Sequence, residues 1–119
     1  MGSDLSLVLQ YIEHNYNSLT LSELAEIFHY SEPYLSTLIR ENTGRSFTDL
    51  IRELRLADAK NYLLNTSKKV GEIAELVGYN SADHFSRVFR SVYHESPASY
   101  RKKHRDDSDN FIPFSAIKN

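Results

Sequence analysis

Two quartets of side chains in this sequence are spaced to meet base edges, and every member but Pro33 can hydrogen bond there. They are Pro33, Ser36, Thr37 and Arg40, and Asp83, Ser86, Arg87 and Arg90. Each quartet runs at i, i+3, i+4, i+7, which is one stripe along a helix. An arginine fork can grip guanine, serine and threonine serve several bases, and an aspartate can accept from the cytosine amino group. Behind each stripe lies an apolar one: Leu35, Leu38 and Ile39 in the first, Phe85, Val88, Phe89 and Val92 in the second. Two amphipathic helices with ordinary solvated faces would share this pattern. Recurrence of the polar stripe at aligned positions is what favours recognition.

Other chemistry finds little support. The chain has no Cys, which excludes disulfides, thiolate ligands and a cysteine nucleophile. Its five histidines (14, 29, 84, 94, 104) show no HExxH or other tight ligand spacing. Neither a glycine-rich phosphate loop nor a serine-nucleophile motif occurs. No enzyme, metal or cofactor is expected.

The elements that must carry the two stripes form a repeat. LSELAEIFHYSEPYLSTLIRENT at 21–43 is echoed by VGEIAELVGYNSADHFSRVFRSVY at 70–93. Glu23, Ala25, Glu26 and Tyr30 match Glu72, Ala74, Glu75 and Tyr79 at an offset of 49; Ser36, Arg40 and Ser46 match Ser86, Arg90 and Ser96 at 50. Helix, short turn, helix, with a tyrosine at the turn, is the pattern of a helix-turn-helix. Around it the chain reads as all-α, about seven helices. The first covers 5–16. A capping box, Thr20-Leu-Ser-Glu23, opens the second. Pro33 lies in the first turn of the third, where its missing N–H costs nothing, and Gly44 ends it. Ser46-x-x-Asp49 opens the longest, roughly 47–64. Then come 70–77 with Gly78 as its cap, 82–93, and a last helix from Ser96-Pro97 to about Lys103.

The expected organisation is a first subdomain at 1–45, a linker helix at 46–65, a second subdomain at 66–105 and a flexible tail at 106–119. In that tail Phe111, Ile112 and Phe114 could dock back. The opening Met-Gly-Ser reads as a cloning remnant, so a fragment is expected. No apolar run approaches the roughly 20 residues of a membrane span, and no signal peptide opens the chain. A cytoplasmic, nucleoid-associated protein is the expectation.

The net charge of −2 hides a strong asymmetry. Residues 1–36 hold five acids and no Lys or Arg; residues 37–105 hold 13 Lys/Arg against eight acids; residues 106–119 hold three Asp and one Lys. A polyanion would feel the middle block, because surface fields are local at a Debye length of about 8–10 Å. A linker helix of about 18 residues spans roughly 27 Å. That separation suits two recognition helices entering successive major grooves, about 34 Å apart, from one side of the duplex.

From about Leu5 to Arg105 the chain resembles the DNA-binding domain of the AraC/XylS family of bacterial transcription regulators. The residues carrying this are the first unit LSELAEIFHYSEPYLSTLIRENTG, the linker phrase IRELRLADAKNYLLNT and the closing unit VGEIAELVGYNSADHFSRVFRSVYHESPASYRK. Its ending, G-Y…F-S-R-x-F-R…S-P-x-x-Y-R, is the most specific part. The resemblance implies two helix-turn-helix units on one long helix, binding double-stranded promoter DNA, more often as an activator than as a repressor. It also implies a sensing or dimerising domain on the N-terminal side in the full-length protein, with this domain monomeric. RNA polymerase is a possible further partner.

Carried over by position, the base-reading residues are Pro33, Ser36, Thr37 and Arg40 in the first unit and Ala82, Asp83, Ser86 and Arg87, with Arg90 beside them, in the second. Thr37 stands where the family very often has Arg, so the first unit is expected to read sequence weakly, through shape and thymine methyls. Arg87 is the leading single residue; the alternative for it is an i,i+4 pair with Asp83. Phosphate contacts fit Ser46 and Ser96 at helix N-termini, with Arg45, Lys68, Lys69, Arg101 and Lys102 supplying charge. The rival reading keeps the fold but uses it as a protein-interaction module that contacts another regulator or polymerase, which the acidic first 36 residues favour.

Overall fold

A computed structural model describes residues 2–106. Its elements are α1 (Gly2–Asn15), α2 (Leu21–Phe28), α3 (Glu32–Thr43), α4 (Phe47–Asn65), α5 (Val70–Leu76), α6 (Ala82–Tyr93) and α7 (Pro97–Asp106), with no strand among the described residues. The tail from residue 107 on, with Phe111, Ile112 and Phe114, lies outside them. The helices divide into two compact units, one ending at Arg55 and the other beginning at Leu56. The boundary falls inside α4, so its first half closes one unit and its second half opens the next.

In unit one, Val8 and Ile12 of α1 pack with Leu24 and Ala25 of α2, Leu35 and Ile39 of α3, and Phe47 and Ile51 from the start of α4. In unit two, Leu56, Ala59 and Leu63 take the part of α1, Ile73 and Ala74 that of α2, and Phe85 and Phe89 that of α3; α7 closes the core with Tyr100. Hydrophobic burial holds each unit together, at about 1.5–3 kcal/mol for each large side chain fully removed from water.

Local chemistry sets the helix boundaries. At Thr20 the full capping box forms: the Glu23 N–H donates to Thr20 Oγ1 at 3.1 Å and the Thr20 N–H donates to Glu23 Oε1 at 2.9 Å. The second copy keeps half of it. Glu72 Oε1 accepts from the Lys69 N–H at 2.9 Å, but lysine has no acceptor to return. The turns between paired helices match as well, with Tyr30 N–H bonded to Ala25 O at 2.9 Å and Tyr79 N–H to Ala74 O at 2.8 Å.

Each turn needs a left-handed residue, and the two copies fill it differently. His29 takes it at φ 62° in unit one, Gly78 at φ 104° in unit two. At the ends of α3 and α6 the roles reverse, with Gly44 at φ 72° and His94 at φ 65°.

Two expectations needed correction. Val92, read as core, is 40% exposed. The buried row of α6 runs Phe85, Phe89 and then Tyr93, whose ring lies 4.7 Å from Phe89, and this step of four carries the core past position 92. Also, α7 extends to Asp106, some three residues beyond the expected stop.

Candidate nucleic-acid interface

The second helix of each pair is started by a serine. Ser31 Oγ accepts from the Tyr34 N–H at 3.2 Å, and Ser81 Oγ accepts from the His84 N–H at 3.0 Å. These caps fix where each helix begins and so which residues share its outward stripe. From Ser31 to Gly44 and from Ser81 to His94 the two segments have the same burial class at every aligned position. Leu35 and Ile39 are inside, as are Phe85 and Phe89. Pro33, Thr37, Arg40, Ala82, Asp83, Arg87 and Arg90 are exposed, while Ser36 and Ser86 are half-buried at the margin of each stripe. All nine predicted base-reading residues thus lie on or beside the outward faces of α3 and α6.

The arginines on these faces are uncommitted. Among the described residues, ion pairs join Arg45 to Glu53 and Arg52 to Asp49, and His104 Nε2 lies 3.8 Å from Glu95 Oε2. None involves Arg40, Arg87 or Arg90, and Asp83 does not hold Arg87. Guanidinium groups left in water at the surface can exchange that water for a base edge or a phosphate at low cost.

The predicted phosphate contacts meet different fates. Ser46 caps α4, its Oγ accepting from the Asp49 N–H at 3.1 Å, and Ser96 caps α7 by accepting from the Ser99 N–H at 3.1 Å. A hydrogen bond from the Ser46 side chain, and then the charge of Arg52, hold the Asp49 carboxyl below its ordinary value. Arg45 pairs with Glu53 at 2.8 Å on an exposed face. Lys68, Lys69 and Lys102 are exposed. Arg101 is differently employed: Nε donates to Leu63 O at 3.0 Å and Nη2 to Thr66 O at 3.2 Å, with Arg105 also donating to Thr66 O. It closes the open carbonyls at the end of α4. Burial and then neighbouring Arg105 lower its affinity for a proton, while it remains charged.

Two aromatic residues beside the stripes escaped the sequence reading. Tyr34, 55% exposed, sets its ring 5.1 Å from Tyr30; His84, at the aligned position, lies edge-on 5.3 Å from Tyr79. The available signal was an aromatic ring at the same place in both copies. Among the described residues no helix is long and apolar enough to cross a membrane, and no group of His, Asp or Glu is arranged to hold a metal ion.

A family model for a helix-turn-helix domain matches residues 24–103. The chain is 35% identical over 98 residues to the raffinose operon transcriptional regulatory protein RafR of Pediococcus pentosaceus, covering 82% of this chain and 35% of that one. The solved C-terminal domain of AraT, a response regulator from Geobacillus stearothermophilus, superposes with a TM-score of 0.81 at 35% identity, covering 84% of each chain. The DNA-binding domain of AdpA, solved in complex with a target DNA, shares the fold at a TM-score of 0.81 and 24% identity, over 87% of this chain and 94% of that one. The chain spans 13% to 47% of the length of the first curated relatives it matches.

Proposed function

Because this chain belongs to the AraC/XylS family of helix-turn-helix transcription regulators, we propose that it reads promoter DNA through α3 and α6 placed in successive major grooves, as an activator. The observation that carries this reading is the matched exposure of the two stripes, each led by an arginine with no ion pair to another described residue. A solvated helix face needs no such correspondence between copies. α4 runs unbroken over 19 residues between the two readers.

The second unit leads. Arg87 grips guanine and Arg90 supports it, with Ala82, Asp83 and Ser86 tuning the neighbouring positions. The first reads more weakly through Pro33, Ser36, Thr37 and Arg40. Tyr34 and His84 join the interface at the N-terminal end of each stripe. Phosphates meet Lys68, Lys69, Lys102 and Arg45, with backbone N–H groups at Ser46 and Ser96 completing the clamp. Arg101 contributes by fixing the end of α4 instead of touching DNA. RNA polymerase is the partner an activator must reach, and dimerisation belongs to the longer protein.

Selection of bound sequences from a random duplex pool at about 0.1 M salt tests this. The expected result is an asymmetric site of about two helical turns, sharper in the half read by α6. Weak binding without enrichment would sink the reading in favour of an interaction module.

A further inference from the structure

Unit one carries a shallow apolar hollow on α1, lined by Leu7, Gln10, Tyr11, His14 and Asn15 and bounded by Phe28 of α2. Tyr11 and Phe28 meet edge-on at 6.0 Å, and Leu7 is 52% exposed. A single exposed leucine means little by itself. The internal repeat supplies a control.

The second half of α4 holds the place in unit two that α1 holds in unit one. Val8 and Ile12 correspond to Ala59 and Leu63, all buried. Asn15 donates to Tyr11 O at 3.0 Å as Thr66 does to Tyr62 O at 2.6 Å. In that register Leu7 corresponds to Asp58, Gln10 to Asn61 and His14 to Asn65. Unit two thus places a half-buried carboxylate where unit one exposes a leucine, so the fold does not require an apolar residue at this position.

Charge says what would cover it. Asp4 and Glu13 on α1 and Glu23 and Glu26 on α2 are exposed, and neither helix carries a Lys or Arg. Nucleic acid is repelled by this surface. A helix with an aliphatic stripe flanked by cations complements it, and helix-in-groove docking reads such stripes at i, i+3, i+4 and i+7.

We propose that the Leu7–Tyr11–Phe28 face is a docking surface for a cationic amphipathic helix of a protein partner. Its aliphatic stripe covers these three residues while its lysines or arginines meet the carboxylates that α1 and α2 expose. None of the residues lining the hollow belongs to the α3 or α6 stripe, so docking and DNA reading proceed independently.

The test titrates the isotope-labelled 119-residue chain with a synthetic amphipathic peptide bearing leucines at i, i+3, i+4 and i+7 and lysines elsewhere. Amide shifts are expected to cluster on residues 7–15 and at Phe28. A peptide with every lysine replaced by glutamate should leave them unmoved. Leu7→Asp, which copies the residue type the second unit already uses at this place, should weaken binding at least tenfold while DNA affinity stays unchanged. Attraction by charge alone would instead make that variant bind more tightly. Leu7→Ser checks the same loss without added charge. Shifts spread over the whole surface, equal binding of the glutamate peptide, or indifference to both substitutions overturns the proposal. A concentration-dependent dimer abolished by Leu7→Asp would also overturn it, by giving the face to a second copy.

Discussion

Arg101 on α7 reaches back across 38 residues of sequence to donate its Nε–H to the carbonyl oxygen of Leu63 at 3.0 Å. With its second bond, to Thr66 O at 3.2 Å, one guanidinium satisfies two carbonyls at the end of α4. Only a planar fork can do this, and lysine cannot replace it. Arg101→Ala is expected to cost about 1–3 kcal/mol of stability by stranding those acceptors, and Arg101→Lys to recover little of it. Urea denaturation reads the loss. DNA binding by the folded fraction should keep its salt slope; a slope reduced by about one phosphate would return Arg101 to the DNA contacts.

Arg87→Ala is expected to cost about 1–3 kcal/mol in DNA binding and to relax preference at one base pair. Comparing affinities across single-base variants of the selected site separates the roles. A uniform loss on every sequence would make Arg87 a phosphate contact.

The joint change Ser36→Ala with Thr37→Ala should weaken DNA binding less than Arg87→Ala does. Unit one places only Pro33 and the short hydroxyls of Ser36 and Thr37 ahead of Arg40 on its stripe. A loss as large as that of Arg87→Ala, measured on the same duplex, would reverse the ranking of the two units.

His29 and His94 sit at positive φ where the aligned copy has glycine. A side chain with a β-carbon is strained there, whereas glycine is not. His29→Gly and His94→Gly should therefore each stabilise by about 0.5–1 kcal/mol. Gly44→Ala should destabilise by about 1 kcal/mol from backbone strain alone, since a β-carbon there would meet no atom within 4 Å. Thermal melts of the three variants check both signs.

Asp49 supplies a pH-dependent contribution. Its hydrogen bond from Ser46, with Arg52 nearby, depresses the folded-state value below that of the unfolded chain. The contribution is thus fully present above the unfolded value of about 3.9 and lost as pH falls through the lower folded value. Asp49→Asn should lower the urea midpoint at pH 7, and the gap to the natural chain should narrow as pH falls below about 3.9. A gap that persists in acid would assign the effect to packing or helix propensity.

The seven helices, the helix starts at Thr20, Ser46 and Ser96 and the two polar stripes were legible in the order of residues alone, because these rest on local chemistry. Capping needs a Ser or Thr within three residues of its N–H, and a stripe needs only a period of 3.6. Tertiary structure decided what depends on distant partners. It showed that Val92 is exposed, because Tyr93 continues the row of Phe85 and Phe89 over the core. It divided α4 at Arg55 and Leu56, because each half packs against a different set of helices. It committed Arg101 to Leu63 and Thr66, and left Arg87 without an ion pair to any described residue. In the sequence those two arginines look alike, one charged residue near an amphipathic helix each. Which carbonyl or carboxylate stands beside an arginine is settled only when segments far apart in the chain are brought together.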